Sequence, residues 1–260
     1  MPERDKLPVV VTRPLAQAAP LAERLKQAGR DCVLFPLLDI VPLDDDSALR
    51  AELARLNRYA LVAFVSPNAI EAVFARAPQW PPEVALAVMG QGSRDTLARF
   101  GLDQTNARIY SPRDPVRTDS TTLLEVLDLA ALRGRDVLIV RGTDGREFLA
   151  DALREAGVQV TQVAAYRREP PALTPALADT LRDLLDRRHD WVVTSSEALR
   201  HALQLAREAG GDALVAKMLQ QRLVVSHVRI AQTASALGFA DVMQTASGDE
   251  ALTGALQYRP

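Results

Sequence analysis

One cysteine, Cys32, in 260 residues leaves no partner for an intrachain disulfide, so the fold must hold by packing and hydrogen bonding, in keeping with a reducing compartment. Histidine is nearly as scarce. His189, His201 and His227 stand at no metal-ligand spacing, and one thiol beside them makes no zinc-type cluster. Aromatic residues form only 5% of the chain, which argues against an antibody-like or carbohydrate-stacking surface. Charge of one sign is missing too: 31 basic against 33 acidic residues leave a net charge of -2, with no global field to draw a nucleic acid or an anionic membrane. No run approaches the roughly 18 apolar residues of a membrane span. Residues 1–8 include four charged residues and only the short apolar run Val9 to Val11 follows, so no secretory segment is expected. These absences predict a cytoplasmic protein in which local groups meet any anionic ligand.

What is present is an ordinary globular composition, 48% hydrophobic and 25% charged. The length exceeds the usual domain of about 100 to 150 residues, which predicts two domains. Short β-rich runs alternate with segments of helical period, the pattern of parallel sheets covered by helices. Val9 to Thr12 reads as a strand that runs into Arg13-Pro14. A helix then turns Leu15, Ala18, Leu21, Ala22 and Leu25 inward and ends at Gly29, before a strand from Cys32 to Phe35. The same order returns at Val137 to Arg141, a helix with Phe148, Leu149, Ala152 and Leu153, Ala156-Gly157, and a strand from Gln159 to Val163.

Two further units recur. Leu61 to Ser66 with Pro67-Asn68-Ala69 resembles Trp191 to Ser195 with Ser196-Glu197-Ala198. Val84 to Gly90 with a helix and Phe100-Gly101-Leu102 resembles Leu223 to His227 with a helix and Leu237-Gly238-Phe239. The chain therefore reads as internally duplicated. Proline and charged residues interrupt the pattern at Ile40 to Asp46 and at Arg167 to Pro175, as expected of crossings between domains. Periodicity allows either a contiguous split near Arg133 or two lobes that each take pieces of both halves.

In parallel sheets, ligands sit beyond the carboxyl ends of strands, where helix N-termini present unpaired N–H groups. The residues there are Thr12-Arg13, Ser66-Pro67-Asn68, Gly90-Gln91-Gly92-Ser93, Arg141-Gly142, Thr194-Ser195-Ser196 and Ser226-His227-Val228-Arg229. Hydroxyls, small residues and arginine suit a polyanion held by many donors in a cleft between two lobes. Any one hydroxyl is equally a helix cap, and only the recurrence over six loops favours a site. Gly90-Gln91-Gly92 opens like a dinucleotide fingerprint, but Asp95 stands where the third glycine belongs; no P-loop or Gly-x-Ser-x-Gly elbow appears. His189 and His201 read as surface residues and Cys32 as a small strand hydrophobe. Tyr166 follows the strand Gln159 to Val163 at a crossing, beside Arg167-Arg168. It is either an acid able to protonate a leaving hydroxyl or an amphipathic residue packed at a joint.

These residues resemble the uroporphyrinogen-III synthase family over essentially the whole chain. The resemblance rests on Val-Thr-Arg-Pro at 11–14, Phe-Pro-Leu-Leu at 35–38, Val-Ser-Pro-Asn-Ala at 65–69 and Arg-Gly-x-x-Gly-Arg-x-x-Leu at 141–149. Ala-Tyr-Arg-Arg at 165–168, Thr-Ser-Ser-Glu-Ala at 194–198 and His-Val-Arg-Ile-Ala at 227–231 complete it. It implies an α/β fold of two flavodoxin-like parallel-sheet lobes, internally duplicated and joined by a two-stranded linker. One lobe would hold 1–39 with 170–260, the other 45–164, with linkers at 40–44 and 165–169.

The resemblance also implies a monomeric, cofactor-free and metal-free lyase that closes the linear tetrapyrrole hydroxymethylbilane with inversion of its last ring, through a spiro intermediate. A transient hand-over from hydroxymethylbilane synthase would supply the substrate. Tyr166 matches the tyrosine implicated in hydroxyl loss. Ser66, Asn68, Gly90, Ser93, Ser195 and His227 match positions facing the tetrapyrrole, with Thr12, Gly142 and Thr194 in the same motifs. Arg13 and Arg141 would meet carboxylates, and Arg229, with His227, would stand in for the polar contact of a missing hydroxyl. Ser93 stands where many members carry Thr, and Arg229-Ile230 near a second family Thr. The rivals are a catalytically silent synthase-like module that binds a polyanion, and a periplasmic-type binding protein.

Overall fold

The computed structural model describes residues 7–76, 79–114, 117–145 and 147–257. Among them the apolar runs form strands β1 Val9–Val11, β2 Cys32–Leu34, β3 Asp39–Val41, β4 Leu61–Phe64, β5 Ala85–Val88, β6 Ile109–Tyr110, β7 Asp136–Gly142, β8 Gln159–Glu169, β9 Asp190–Val193, β10 Arg222–Val225 and β11 Asp241–Gln244. The chain divides into two compact units, Met1–Asp39 with Glu169–Pro260, and Ile40–Arg168.

In the first unit the sheet runs β2-β1-β9-β10-β11, parallel throughout. Val10 stands opposite Val33 on one side and Trp191 on the other. The N-terminal strand–helix–strand thus shares a sheet with the C-terminal third, which a contiguous split near Arg133 does not permit. The central strands are buried on both faces, and apart from Asp190 and Arg222 at their starts they carry apolar side chains. Val10, Trp191, Val193, Leu223 and Val225 face one layer of helices; Val9, Val11, Val192 and Val224 face the other. Trp191, fully buried, meets Phe35 edge-on at 6.0 Å between centroids and donates its indole N–H to Gln221 Oε1 at 3.2 Å.

A buried cation ties both chain ends to this sheet. Arg30 donates to Asp190 Oδ2 at 2.8 Å, to Leu7 O at 2.6 Å and to Leu256 O, and Arg222 approaches Asp190 Oδ1 at 3.8 Å. The side chains of Arg30 and Asp190 are 4% and 3% exposed, so each charge depends on the other for solvation.

The second unit orders its strands β3-β8-β7-β4-β5-β6, with β8 to β6 mutually parallel. Side chains alternate here as well: Val62 and Phe64 of β4 face one core, Leu61 and Ala63 the other. On the first of these faces Phe74 stacks on Trp80 and on Phe100, and Phe64 meets Phe74 and Trp80 at tilted angles.

Four expectations need correction. Leu15 does not point inward; it is 62% exposed, as Phe148 is 50% exposed, and each is the first residue of its helix. His189 is buried rather than on the surface, because its backbone N–H is held by Gln221 Oε1 at 2.8 Å beside the start of β9. His201 is half-buried, its Nδ1 2.8 Å from Leu37 O. The strand expected from Gln159 to Val163 runs on to Glu169, so Tyr166 lies within β8.

Replacing Asp190 by alanine would strand the Arg30 charge in the core. Asp190→Ala is expected to lower stability by about 3–5 kcal/mol, read from urea unfolding. A loss below about 1 kcal/mol would mean that the pair behaves as a surface one.

Candidate functional site

The first unit's strands, numbered by their order along the chain, stand in space as second, first, third, fourth, fifth, the flavodoxin-like order. Its switch point lies between β1 and β9. The helix after β1, Leu15–Gln27, packs on the Val9 face through Ala18, Leu21 and Leu25, whereas the helix after β9, Ser196–Leu219, packs on the Trp191 face. Helices leaving neighbouring strands for opposite faces open a crevice at the carboxyl edge. In the second unit the same divergence falls between β7 and β4: Leu149 and Leu153 of Phe148–Glu155 cover one face, Ala69, Ile70 and Val73 of Pro67–Phe74 the other.

At the second unit's switch point three of the expected residues meet. Ser66 caps the helix Pro67–Phe74, its Oγ accepting from the Ala69 N–H at 3.2 Å. The Tyr166 hydroxyl lies 2.8 Å from the same Oγ. Gly142 lies beside the phenol ring, on the strand β7 that separates β8 from β4. The ladder of β7 and β8 shifts register at Arg141/Gly142, which sets Gly142 opposite Tyr166, and a Cβ on Gly142 would lie 3.2 Å from the Tyr166 ring. A side chain at 142 would press on the phenol ring, which is 3% exposed. At the end of β5, Gly90 precedes the helix Gln91–Arg99 and accepts from the Ser93 N–H at 3.1 Å; Thr118 Cγ2 lies 3.0 Å from where a Cβ would stand. Ser93 is buried in that first turn, and Asn68 is half-buried in the first turn of Pro67–Phe74.

Arg141 is buried and engaged. It donates to Gln162 Oε1 at 2.7 Å and to Glu147 Oε1, while Gln162 donates to Glu147 Oε2 at 2.5 Å. The hydrogen bond from Gln162, and after it that from Arg141, holds the Glu147 carboxyl below the usual carboxylate range. A closed ring of three side chains therefore spans the loop 142–147. The arginine of the same motif at position 146 lies outside the described residues.

At the first unit's switch point, Arg13 pairs with Asp249 at 2.5 Å, and Thr12 is buried with its hydroxyl donating to Val192 O at 2.8 Å. Thr194 is half-buried at the end of β9, and Ser195 caps the next helix by accepting from Glu197 N–H at 3.2 Å. At the end of β10, His227 is itself a cap: its Nδ1 accepts from the Arg229 N–H at 3.1 Å, which leaves Nε2 to carry the proton. Arg229 is half-buried in the first turn that follows.

Sequence reasoning missed several features at these edges. Asp249 and Glu147 as partners of the two arginines gave no motif to follow. Thr233 donates to Arg229 O at 2.8 Å and lies 3.0 Å from Ser196 Oγ, a hydroxyl pair between two helix starts. Leu15, Phe148 and Val228, each the first residue of a helix after a strand, leave apolar side chains exposed beside the polar donors. Their exposure was hidden by the helical period, which continues through them.

A family model described as uroporphyrinogen-III synthase HemD matches residues 19–253. The chain belongs to the uroporphyrinogen-III synthase family. It is 28% identical over 254 residues to the uroporphyrinogen-III synthase of Escherichia coli, covering 96% of this chain and 99% of that protein. A crystal structure of a mutant uroporphyrinogen III synthase from Thermus thermophilus superposes with a TM-score of 0.55 at 15% identity, covering 96% of each chain. The synthetase from Helicobacter pylori gives 0.53 at 12% identity and 92% coverage of each. At such identities the two structures speak to the fold, two-domain α/β with parallel sheets. The alignment and the family model carry the enzyme class, a lyase of tetrapyrrole biosynthesis. No helix among the described residues is long and apolar enough to cross a membrane.

Because the folded Glu147 carboxyl ionises below its unfolded value, its contribution is present above the unfolded value and is lost as pH falls through the folded one. Glu147→Gln keeps the shape of the group without the charge. The difference in urea midpoint between wild type and Glu147→Gln should shrink towards zero as the pH drops below the carboxylate range. A difference that stays constant down to that point would show that the ion pair does not hold the loop.

Proposed function

We propose that the chain dehydrates and cyclises hydroxymethylbilane to uroporphyrinogen III with inversion of the terminal ring, and that Tyr166 supplies the proton for loss of the hydroxyl. The observation that carries this reading is the Tyr166 phenol, 2.8 Å from Ser66 at the switch-point end of a parallel sheet, beside a glycine that makes room for it. The phenol donates its proton to the terminal hydroxymethyl oxygen. The C–O bond breaks with its electron pair on oxygen, water departs, and the adjoining pyrrole is left as the electrophile.

The substrate's acetate and propionate carboxylates suit the helix-start amides at Ser66, Asn68, Gly90, Ser195 and His227 and the Ser93 hydroxyl, which bind anions without a basic protein. Arg13 and Arg141 offer N–H groups while remaining paired to Asp249 and Glu147, and Arg229 adds a third guanidinium. Thr12, Gly142 and Thr194 complete the strand ends. Free in water the bilane closes without inversion, so binding must hold the terminal ring in the geometry that leads through the spiro intermediate. We place the reaction in the cytoplasm, in a monomer that takes its substrate from hydroxymethylbilane synthase by transient hand-over.

Purified protein given hydroxymethylbilane should yield the type III isomer on chromatographic separation; formation of the type I isomer alone would overturn the assignment. Tyr166→Phe keeps the ring packed on Gly142 and removes the proton. Turnover should fall by about 10²-fold while the unfolding midpoint changes little, and undiminished turnover would take Tyr166 out of the chemistry.

A further inference from the structure

Ser66 has so far the role of a helix cap that also faces the substrate, yet its hydroxyl touches the phenol assigned as the acid. The direction of that hydrogen bond matters. If Tyr166 donated to Ser66, its only proton would be held by the protein. If Ser66 donates, the phenol oxygen is an acceptor within the protein and its proton is free to point at a ligand.

We infer that Ser66 donates to Tyr166, acting as a positioning residue that keeps the phenolic proton available and holds the phenolate once the proton has gone. Two features favour this direction. The Ser66 Oγ already accepts the Ala69 N–H at 3.2 Å, and a hydroxyl polarised by an amide donor becomes a better donor itself. That amide belongs to the first turn of Pro67–Phe74, an eight-residue helix whose positive end stabilises negative charge further along the chain of hydrogen bonds. Gly142, opposite Tyr166 in the ladder, lies beside the ring, and the phenol is buried where it meets Ser66.

The resulting relay runs from the Ala69 N–H to Ser66 Oγ, from the Ser66 O–H to Tyr166 Oη, and from the Tyr166 O–H to the leaving oxygen. Protons balance over a turnover. The phenol gives one proton to the hydroxyl that leaves as water; ring closure releases one proton from the attacked pyrrole carbon, and that proton restores the phenol. Between the two events Ser66 O–H bonds the phenolate. This inference rests on the proposed role of Tyr166, but its first test does not depend on activity.

The test is the tyrosine Fermi doublet in ultraviolet resonance Raman, whose intensity ratio distinguishes a phenol oxygen that accepts a hydrogen bond from one that donates. The Tyr166 contribution is taken as the difference between wild type and Tyr166→Phe. It should show the ratio of an acceptor in the wild type and in Ser66→Thr, and lose it in Ser66→Gly. Glycine is itself a tolerated cap, so Ser66→Gly removes the hydroxyl with little loss of the helix start. In turnover, Ser66→Gly should lower kcat by about tenfold with KM nearly unchanged, and Ser66→Thr should restore it. A donor ratio in the wild type overturns the inference whatever the enzyme does. An acceptor ratio with no type III product would leave the hydrogen bond standing and refute the assigned reaction instead. Equal kcat in Ser66→Gly and wild type would show that the bond does not serve the chemistry.

Discussion

The pairing of β1 with β9, Val10 against Trp191 across 180 intervening residues, constrains everything else in the molecule. A three-residue strand contributes little by itself. Its place inside a five-stranded sheet, between β2 and β9, sealed by the Arg30–Asp190 pair and covered on both faces, makes the N-terminal segment inseparable from the C-terminal third. Once these ends share a sheet, the middle of the chain must fold as a unit of its own, Ile40–Arg168.

That constraint gives the internal duplication a geometric meaning. By the sequence repeats, β1 and β2 correspond to β7 and β8, and β9 and β10 to β4 and β5. The two sheets then have one order: β2-β1-β9-β10-β11 in the first and β8-β7-β4-β5-β6 in the second. Along the chain the repeat is a simple tandem. In space each sheet joins the opening pair of strands from one copy to the closing three from the other. The switch points therefore fall at equivalent places, between β1 and β9 and between β7 and β4, and each brings an arginine from one repeat next to a serine cap from the other: Arg13 and Ser195, Arg141 and Ser66. The halves then differ in detail. The second unit sets a tyrosine against its serine, whereas in the first the threonine before the arginine closes onto the backbone of β9.

Much of this was legible in the sequence because it is written in short-range chemistry. Fully apolar runs marked buried strands, and serine before proline or glutamate marked helix caps. The glycines at 29 and 157 marked helix ends, and both adopt the positive φ that such ends require. What could not be read lies in contacts between residues far apart. The Ser66–Tyr166 bond spans 100 residues and depends on a register shift that no pattern announces. The exposure of Leu15 and Phe148 depends on where the sheet stops beneath a helix. The burial of His189 depends on Gln221, a polar residue 32 positions away. The family motifs reached further than periodicity because they mark which loops act together, without stating how.

The ion pairs of Arg13 and Arg141 bear on how such a site can hold a many-fold anion in a protein of net charge -2. A free guanidinium aimed at the crevice would bind each carboxylate tightly and hold product as firmly as substrate. On the proposed reading, the two arginines, paired to Asp249 and Glu147, offer N–H groups while also tying down the loops that present neutral donors: amides at helix starts and hydroxyls of serine and threonine. Affinity then comes from many modest contacts whose geometry is set before the ligand arrives, so orientation is discriminated more than charge. For a reaction whose difficulty is to hold one ring in an inverted position while a hydroxyl leaves, a rigid array of weak donors around a single well-placed proton is the arrangement the chemistry requires.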